Sequence, residues 1–449
     1  MRIKDVAVYF IPITTRVPLK FGSQTINQFT CARIRVIAED NLGHIAEGWG
    51  ETPLSAAWVW PDDSISYQDR ERHLREFCLT LARNFVSNTI SGHPFEIGHA
   101  FAQGPLHDLA KDSPLPHLAA LLCLSPFDLA LYDAFGNLHQ APVFSLLGPE
   151  FLKRDLSHFL EPSALFTGRF VTDFLASPPA SQMLPVWHLV GGLDAIHERD
   201  LTGNEPNDGY PILLREWIRR DGLRCLKIKL RGTDPAWDYA RICEIGRMAL
   251  EENVDWLSAD FNCTVTEPSV VCDILDKLLR DEPQIYARLL YVEQPFPYDL
   301  EANPIDVRSV SARKPLFLDE SAHDWKYVRM GRELGWSSVA LKTCKTLTGA
   351  LLSLCWARAH GMTLMVQDLT NPMLAQIPHV LLAAHSGTIM GVESNGMQFY
   401  PDASLLEAKI HPGLYQRRNG ILDYSTLGET GFGYRLHEID RPLPAPATW

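Results

Sequence analysis

Residues 224–232 read RCLKIKLRG, with Lys227 and Lys229 alternating against Leu226, Ile228 and Leu230. In a strand both ammonium groups point to one face. Further along, Asp260 with Asn262, then Glu293, then Asp319 with Glu320 each close a short apolar run, and Lys342 closes the next. Three carboxylates at close range raise one another's pKa and cannot all stay ionised without a cation. Oxygen-only ligands from Asp260, Glu293 and Asp319 suit Mg²⁺, which prefers octahedral coordination and leaves positions for water or substrate oxygens. Any one of these acids alone is an ordinary strand-end charge. Their recurrence at 33 and 26 residues, one per repeat, joins them into a set.

An unperturbed lysine, with a pKa near about 10.4, is a poor base at neutral pH. Beside a metal cation, a second ammonium and a partly dry pocket, its pKa is expected to fall toward about 7 to 8. Lys227 is thus expected to depress and orient Lys229, which would take a proton from one face of a substrate carbon while Lys342 faces the other. A metal and a base are needed together for removal of a proton α to a carboxylate. The resulting enediolate carries two negative charges that a fixed Mg²⁺ stabilises. Three acids against one divalent cation and three lysines leave the pocket locally positive, which favours an anionic substrate.

Parallel βα repeats can bring such residues to one rim. Eight short apolar runs start at 183 (MLPVWHLV), 224 (RCLKIKL), 255 (DWLSADF), 288 (RLLYVEQP), 315 (PLFLDES), 337 (SSVALKT), 362 (MTLMVQD) and 388 (TIMGVES), with amphipathic spacers between them. Eight such units argue for a closed barrel, whose strands all deliver their C-terminal ends to the same face. Before them, residues 1 to about 55 read as a strand meander with a turn at Asn41 and Gly43, followed by helical patterns such as DRERHLREFCLTLARNFV from Asp69. Residues 150–183 and the stretch from 202 (TGNEPNDGYP) look inserted.

The 449 residues exceed one ordinary core, so two domains are expected. Hydrophobic residues at 46% and charged residues at 21% match a globular protein. No apolar run is read as long enough to cross a bilayer, and the N-terminal segment lacks the apolar block and cleavage site of a secretory signal, so a cytoplasmic location without membrane association is expected. Nine scattered cysteines without a CxxC pair read as reduced core residues. A net charge of -13 without a basic cluster argues against a nucleic-acid partner.

In this order and spacing the motifs resemble the enolase superfamily, in its mandelate racemase/muconate lactonizing enzyme family and muconate-lactonizing-enzyme-like subgroup. AEGWGETPL (46–54) is similar to the family's glycine-tryptophan-glycine-glutamate strand end, and SPFDLALYDAFGNLHQAPVFSLLGP (125–149) to the helix joining its two domains. SADFN, VEQP, LDES and ALKTCK follow the lysine-x-lysine. The resemblance implies an α/β fold: a modified (β/α)8 TIM barrel of (β/α)7β form over 141–400, and an N-terminal α+β capping domain over 1–140, joined by 401–449. It implies Asp260, Glu293 and Asp319 as metal ligands, Lys229 and Lys342 as the acid/base pair with Lys227 in support, and Asn262 and Glu320 as groups that orient the site. Lys345 is similar to the second lysine of the sixth-strand motif and ranks below Lys342.

Lys20 in RVPLKFG (16–22) and Trp58 in AAWVWP (56–61) fall where relatives carry mobile specificity loops. Asp368, Glu393 and Asn395 are expected to line the substrate pocket. GVESNG (391–396) stands where dipeptide-epimerising relatives carry an aspartate-x-aspartate element, so a dipeptide ammonium is not implied. The seventh run holds no histidine of the mandelate racemase kind; His360, His379 and His385 read as structural, and His323 as a loop residue that could meet substrate. A zinc amidohydrolase barrel would want a His-x-His pair, and none is present. The expected protein is a Mg²⁺-dependent racemase or epimerase of a small carboxylate, assembled as a homo-oligomer. A syn-dehydratase of the o-succinylbenzoate synthase kind, a cycloisomerase, and a non-catalytic metal-binding barrel are the alternatives.

Overall fold

The computed structural model describes residues 1–21, 24–87, 90–111 and 113–449; Gly22, the last residue of the 16–22 loop, lies outside them. Strands β1 (Arg2–Phe21), β2 (Gln24–Glu39) and β3 (Ile45–Pro53) form the expected antiparallel meander, and β13 (Ala447–Thr448) pairs with β1 to complete a four-stranded sheet. The helix Tyr67–Ser87 buries Leu74, Phe77, Cys78, Leu81 and Phe85, the three-and-four spacing that makes one apolar stripe. The helix His117–His139 is apolar all round, as a helix enclosed on every side must be. Strand β3 lies directly on it. A Cβ at Gly48 would stand 2.1 Å from the Ala134 amide nitrogen, and one at Gly50 2.0 Å from the Pro126 carbonyl. Only glycine permits that approach, which accounts for the GWG spacing.

This helix corrects one expectation: over a membrane-length window its hydropathy averages 1.5, enough by length and composition to cross a bilayer. That whole window is buried inside the protein, where Asp128 accepts hydrogen bonds from the Thr348 amide (3.0 Å) and hydroxyl (2.7 Å) of the second unit. Its apolar surface serves the junction between the cap and the barrel.

The eight predicted barrel runs form β4 (Met183–Val190), β5 (Cys225–Lys229), β6 (Trp256–Asp260), β7 (Leu289–Glu293), β8 (Leu316–Leu318), β9 (Ser338–Leu341), β10 (Thr363–Val366) and β11 (Val392–Glu393). They curl in the order β10-β9-β8-β7-β6-β5-β4-β11, every pair parallel, and β12 (Ile421–Asp423) adds antiparallel to β4. The segment beyond residue 400 therefore supplies a strand to the barrel before it supplies one to the cap.

Inside the curl, Trp187, Cys225, Tyr291, Phe317 and Met365 form an apolar plug. Two residues further along each strand, on the same face, stand Leu189, Lys227, Glu293, Asp319 and Gln367. Strand alternation thus turns a dry floor into an ionic layer at the C-terminal rim.

Candidate active site

Lys227 is 2% exposed and lies among three carboxylates: its Nζ is 2.7 Å from Glu293 Oε1 and 3.2 Å from both Asp260 Oδ2 and Glu393 Oε2. Lys229, one alternation further out, pairs with the same Asp260 oxygen. Across the rim Lys342 Nζ lies 2.8 Å from Asp319 Oδ2, and Lys345 reaches Asp319 Oδ1 (3.2 Å) and its carbonyl. The register sets these pairs: Lys229 sits beside Asp260, and Asp260 beside Glu293.

Burial pushes the Glu293 carboxyl well above the carboxylate range, with Asp260 and Asp319 adding to the rise against the opposing pull of Lys227. Asp319, although buried, is brought down to about 2 by Lys342 and Lys345. Two of the lysines, Lys227 and Lys342, are shifted upward. Burial alone would lower them, but Glu293, Glu393 and Asp260 hold Lys227 well above its usual range, and Asp319 holds Lys342 above its own. With its partners all acidic, Lys227 is a fixed cation that ties the three acids together.

The charge expectation changes too. The rim gathers six carboxyl groups, from Asp260, Glu293, Asp319, Glu320, Asp368 and Glu393, against the ammonium groups of Lys227, Lys229, Lys342 and Lys345.

Among the described residues no three His, Cys, Asp and Glu side chains form a finished cage, because ammonium groups lie between the acids. The donor chemistry still fits a hard divalent cation: Asp260 and Asp319 raise the proton affinity of Glu293 between them, and all the donors are oxygens. Gln367 Oε1 and Glu320 Oε2 are buried without a hydrogen-bond partner.

Supporting groups surround this row. The Asn262 amide donates to Asp260 Oδ1 at 2.9 Å, from a residue with φ of 49°. Trp58 Nε1 donates to Glu320 Oε1 at 3.0 Å, and its ring lies 4.7 Å from Lys342 Nζ, so the cap supplies a buried aromatic roof. Burial pushes the Glu320 carboxyl above its ordinary value, with Asp319 and Asp260 adding to the rise against the pull of Lys342 and Lys229.

Asp368 and Asn395 occupy the seam between β10 and β11, the two ends of the strand order. Asp368 accepts from the amides of Asn371 and Asn395, both at 2.6 Å, and joins the two strand ends. Asn395 donates to Glu393 Oε1 (2.7 Å) and accepts from the Leu189 amide (2.9 Å). These three side chains hold one another and the backbone. His323 packs on Tyr327 and hydrogen-bonds the Glu320 carbonyl at 3.1 Å; His379 meets the Glu393 carbonyl at 2.6 Å, and His360 the Trp356 carbonyl at 2.8 Å.

Two amides escaped the sequence reading. Gln294 Oε1 accepts from the Asp319 amide at 2.7 Å, and Gln367 Nε2 donates to Glu293 Oε2. The available signal was position: each is an amide at the polar end of a barrel strand.

The rim opens into a cavity of about 350 Å³ whose lining includes Lys20, Lys229, Arg231 and Asn262. A second cavity, about 380 Å³, lies between Arg16–Pro18 of β1, the 202–211 insertion and Trp217, and contains none of the site acids or lysines. Arg16 fastens the insertion to the cap through Asp208, at 2.6 Å.

Residues 212–439 match the enolase C-terminal domain-like family model, and the chain belongs to the enolase superfamily. No curated protein matches the chain. Among solved structures it is similar to a dipeptide epimerase from Enterococcus faecalis V583 complexed with Mg and the dipeptide L-Leu-L-Tyr, at 18% identity and a TM-score of 0.64, covering 96% of this chain and 99% of that one. It is also similar to an N-succinyl Arg/Lys racemase from Bacillus cereus ATCC 14579, at 16% identity and TM-score 0.64, covering 100% of each chain. A third similar structure is a muconate lactonizing enzyme from Mucobacterium Smegmatis complexed with muconolactone, at 15% identity and TM-score 0.61, covering 96% of each. At these identities the likeness establishes the two-part fold.

Proposed function

We propose that this protein is a Mg²⁺-dependent racemase or epimerase that transfers a proton at the carbon α to a substrate carboxylate. The observation that carries this reading is the placement of Lys229 and Lys342 on opposite flanks of the acid row, four strands apart in the barrel order. Asp260, Glu293 and Asp319 would hold the cation, which when bound supplies a fixed positive charge beside the substrate carboxylate.

Lys229 Nζ, as the free amine, takes the α-proton, and the electrons of the broken C–H bond move onto the carboxylate oxygens. Lys342 Nζ, as the ammonium paired with Asp319, delivers a proton to the opposite face, and a new C–H bond forms with inversion. The reverse direction exchanges the two roles. Trp58 over Lys342 excludes water from that flank, where stray protonation would compete.

The test is a library of α-substituted acids incubated with enzyme and Mg²⁺ in deuterated water. The proposal expects α-deuterium uptake with interconversion of antipodes. Loss of water, or formation of a new ring without exchange, would assign the site to dehydration or cycloisomerisation instead. Complete inertness of the α-hydrogens would refute the reading.

A further inference from the structure

We infer that the mouth of this site receives a second anionic group of the substrate, so that Lys20 and Arg231 select acids with a distal carboxylate; the inference rests on Lys229 acting at the α-carbon. The cavity of about 350 Å³ at the rim carries three basic side chains, Lys20, Lys229 and Arg231, with no acidic side chain in its lining. That is the opposite of the chain as a whole, whose net charge is -13. Of the three, Lys229 is already paired with Asp260.

Neither the Lys20 ammonium nor the Arg231 guanidinium forms a salt bridge among the described residues; Asp238, which accepts from the Arg231 backbone amide at 2.8 Å, lies outside the cavity lining. They come from different units: Lys20 from strand β1 of the cap, Arg231 from the loop just after β5. The Arg231 guanidinium lies over the Trp237 ring at 4.0 Å, and Trp237 lines the same cavity. A guanidinium seated on an indole face is held flat while its N–H edge stays available, the arrangement suited to two parallel hydrogen bonds with a carboxylate. Arg231 follows Lys229 by two residues, at most about 7 Å of chain, so one small substrate can meet both.

The ends of β10 and β11 offer no comparable receptor for a cationic arm. Glu393 is committed to Lys227 and Asn395, and Asp368 to two backbone amides. A substrate ammonium directed to the ends of β10 and β11 would have to displace those bonds. The substrate class that fits is therefore a dianion: an acid with an epimerisable α-carbon and a short arm ending in a second carboxylate.

The experiment uses acids prepared as isosteric pairs, with the distal arm ending in either a carboxylate or a carboxamide. Binding to the Mg²⁺-loaded enzyme is followed by tryptophan fluorescence and titration calorimetry, and α-exchange by NMR in deuterated water. The inference expects the carboxylate member to bind at least tenfold tighter at low salt, with the advantage shrinking as ionic strength rises. In K20M/R231Q that advantage disappears while the affinity of the carboxamide member stays within about twofold. Equal affinity of both members for the native enzyme overturns the inference, whether or not either exchanges. A preference for the dianion without exchange from any acid sustains the anion receptor and refutes the proposed reaction, so the two claims fail separately.

Discussion

Replacing Lys227 by Met leaves a side chain of similar length but removes the charge at the centre of the ionic layer. Glu293, Asp260 and Glu393 lose an ammonium at 2.7, 3.2 and 3.2 Å, all in a position that is 2% exposed. Removing one partner of a buried ion pair costs about 3–5 kcal/mol, because the remaining charge stays desolvated. With about 2.1 cal/mol/K per residue, a chain of 449 residues unfolds with roughly 0.9 kcal/mol/K of entropy, so that cost corresponds to about 3–5 °C in melting temperature. The sign of its pH dependence follows from Glu293, whose folded pKa is already raised by burial and its acidic neighbours and is opposed by Lys227. Without the lysine the raised value climbs further, and a carboxyl with a raised folded pKa loses stability as pH increases through it. The K227M deficit should accordingly be larger at pH 8 than at pH 5.5, measured by calorimetry in the presence of a chelator. The exposed K20M variant serves as the comparison and should shift by less than about 1 °C. A K227M shift as small as that of K20M, or one that grows toward acid, would refute the picture of Lys227 as an internal counterion.

Gly50→Ala should destabilise the cap by about 3 kcal/mol, the upper end for overpacking, since the added Cβ meets the Pro126 carbonyl; unchanged melting would show that β3 does not lie on the helix as described. His93 is neutral in the fold, with Nε2 donating to the Leu146 carbonyl (3.0 Å) and Nδ1 accepting from the Phe95 amide (3.1 Å), and burial takes its pKa down to about 3. Its contribution is complete above about pH 6.5 and is lost on acidification toward pH 3 at about 1.4 kcal/mol per unit, so His93→Gln should flatten the fall in melting temperature between pH 6.5 and 4.5. Parallel profiles for the two proteins would contradict that assignment. Trp58→Phe keeps an aromatic roof over Lys342 but loses the 3.0 Å donation to Glu320; it should lower kcat for α-exchange about tenfold with melting temperature little changed, and an unaltered kcat would remove Trp58 from the positioning of Glu320.

The barrel was legible because its strands are short apolar runs that end in a charged residue, and parallel topology fixes which end those residues share. Asp260, Glu293, Asp319, Lys229 and Lys342 could therefore be brought to one rim by counting alone. Their mutual bonding could not. Three acids from β6, β7 and β11 surround Lys227, and strand alternation carries no information about partners across a barrel. The use of Asp368 and Asn395 as a clasp follows from the seam between β10 and β11, a property of closure that no single segment encodes. The joining role of the helix His117–His139 was legible only through the family resemblance, since an apolar helix enclosed by two units reads in sequence like one enclosed by lipid.

The most direct measurement compares α-deuterium exchange by Lys229→Ala and Lys342→Ala, each supplied separately with the two antipodes of a substrate acid. The account predicts complementary defects: each variant loses about 10²–10⁴-fold in exchange from one antipode, a different one in each case, and retains most of the exchange from the other. Small and equal losses from both antipodes in both variants would contradict it.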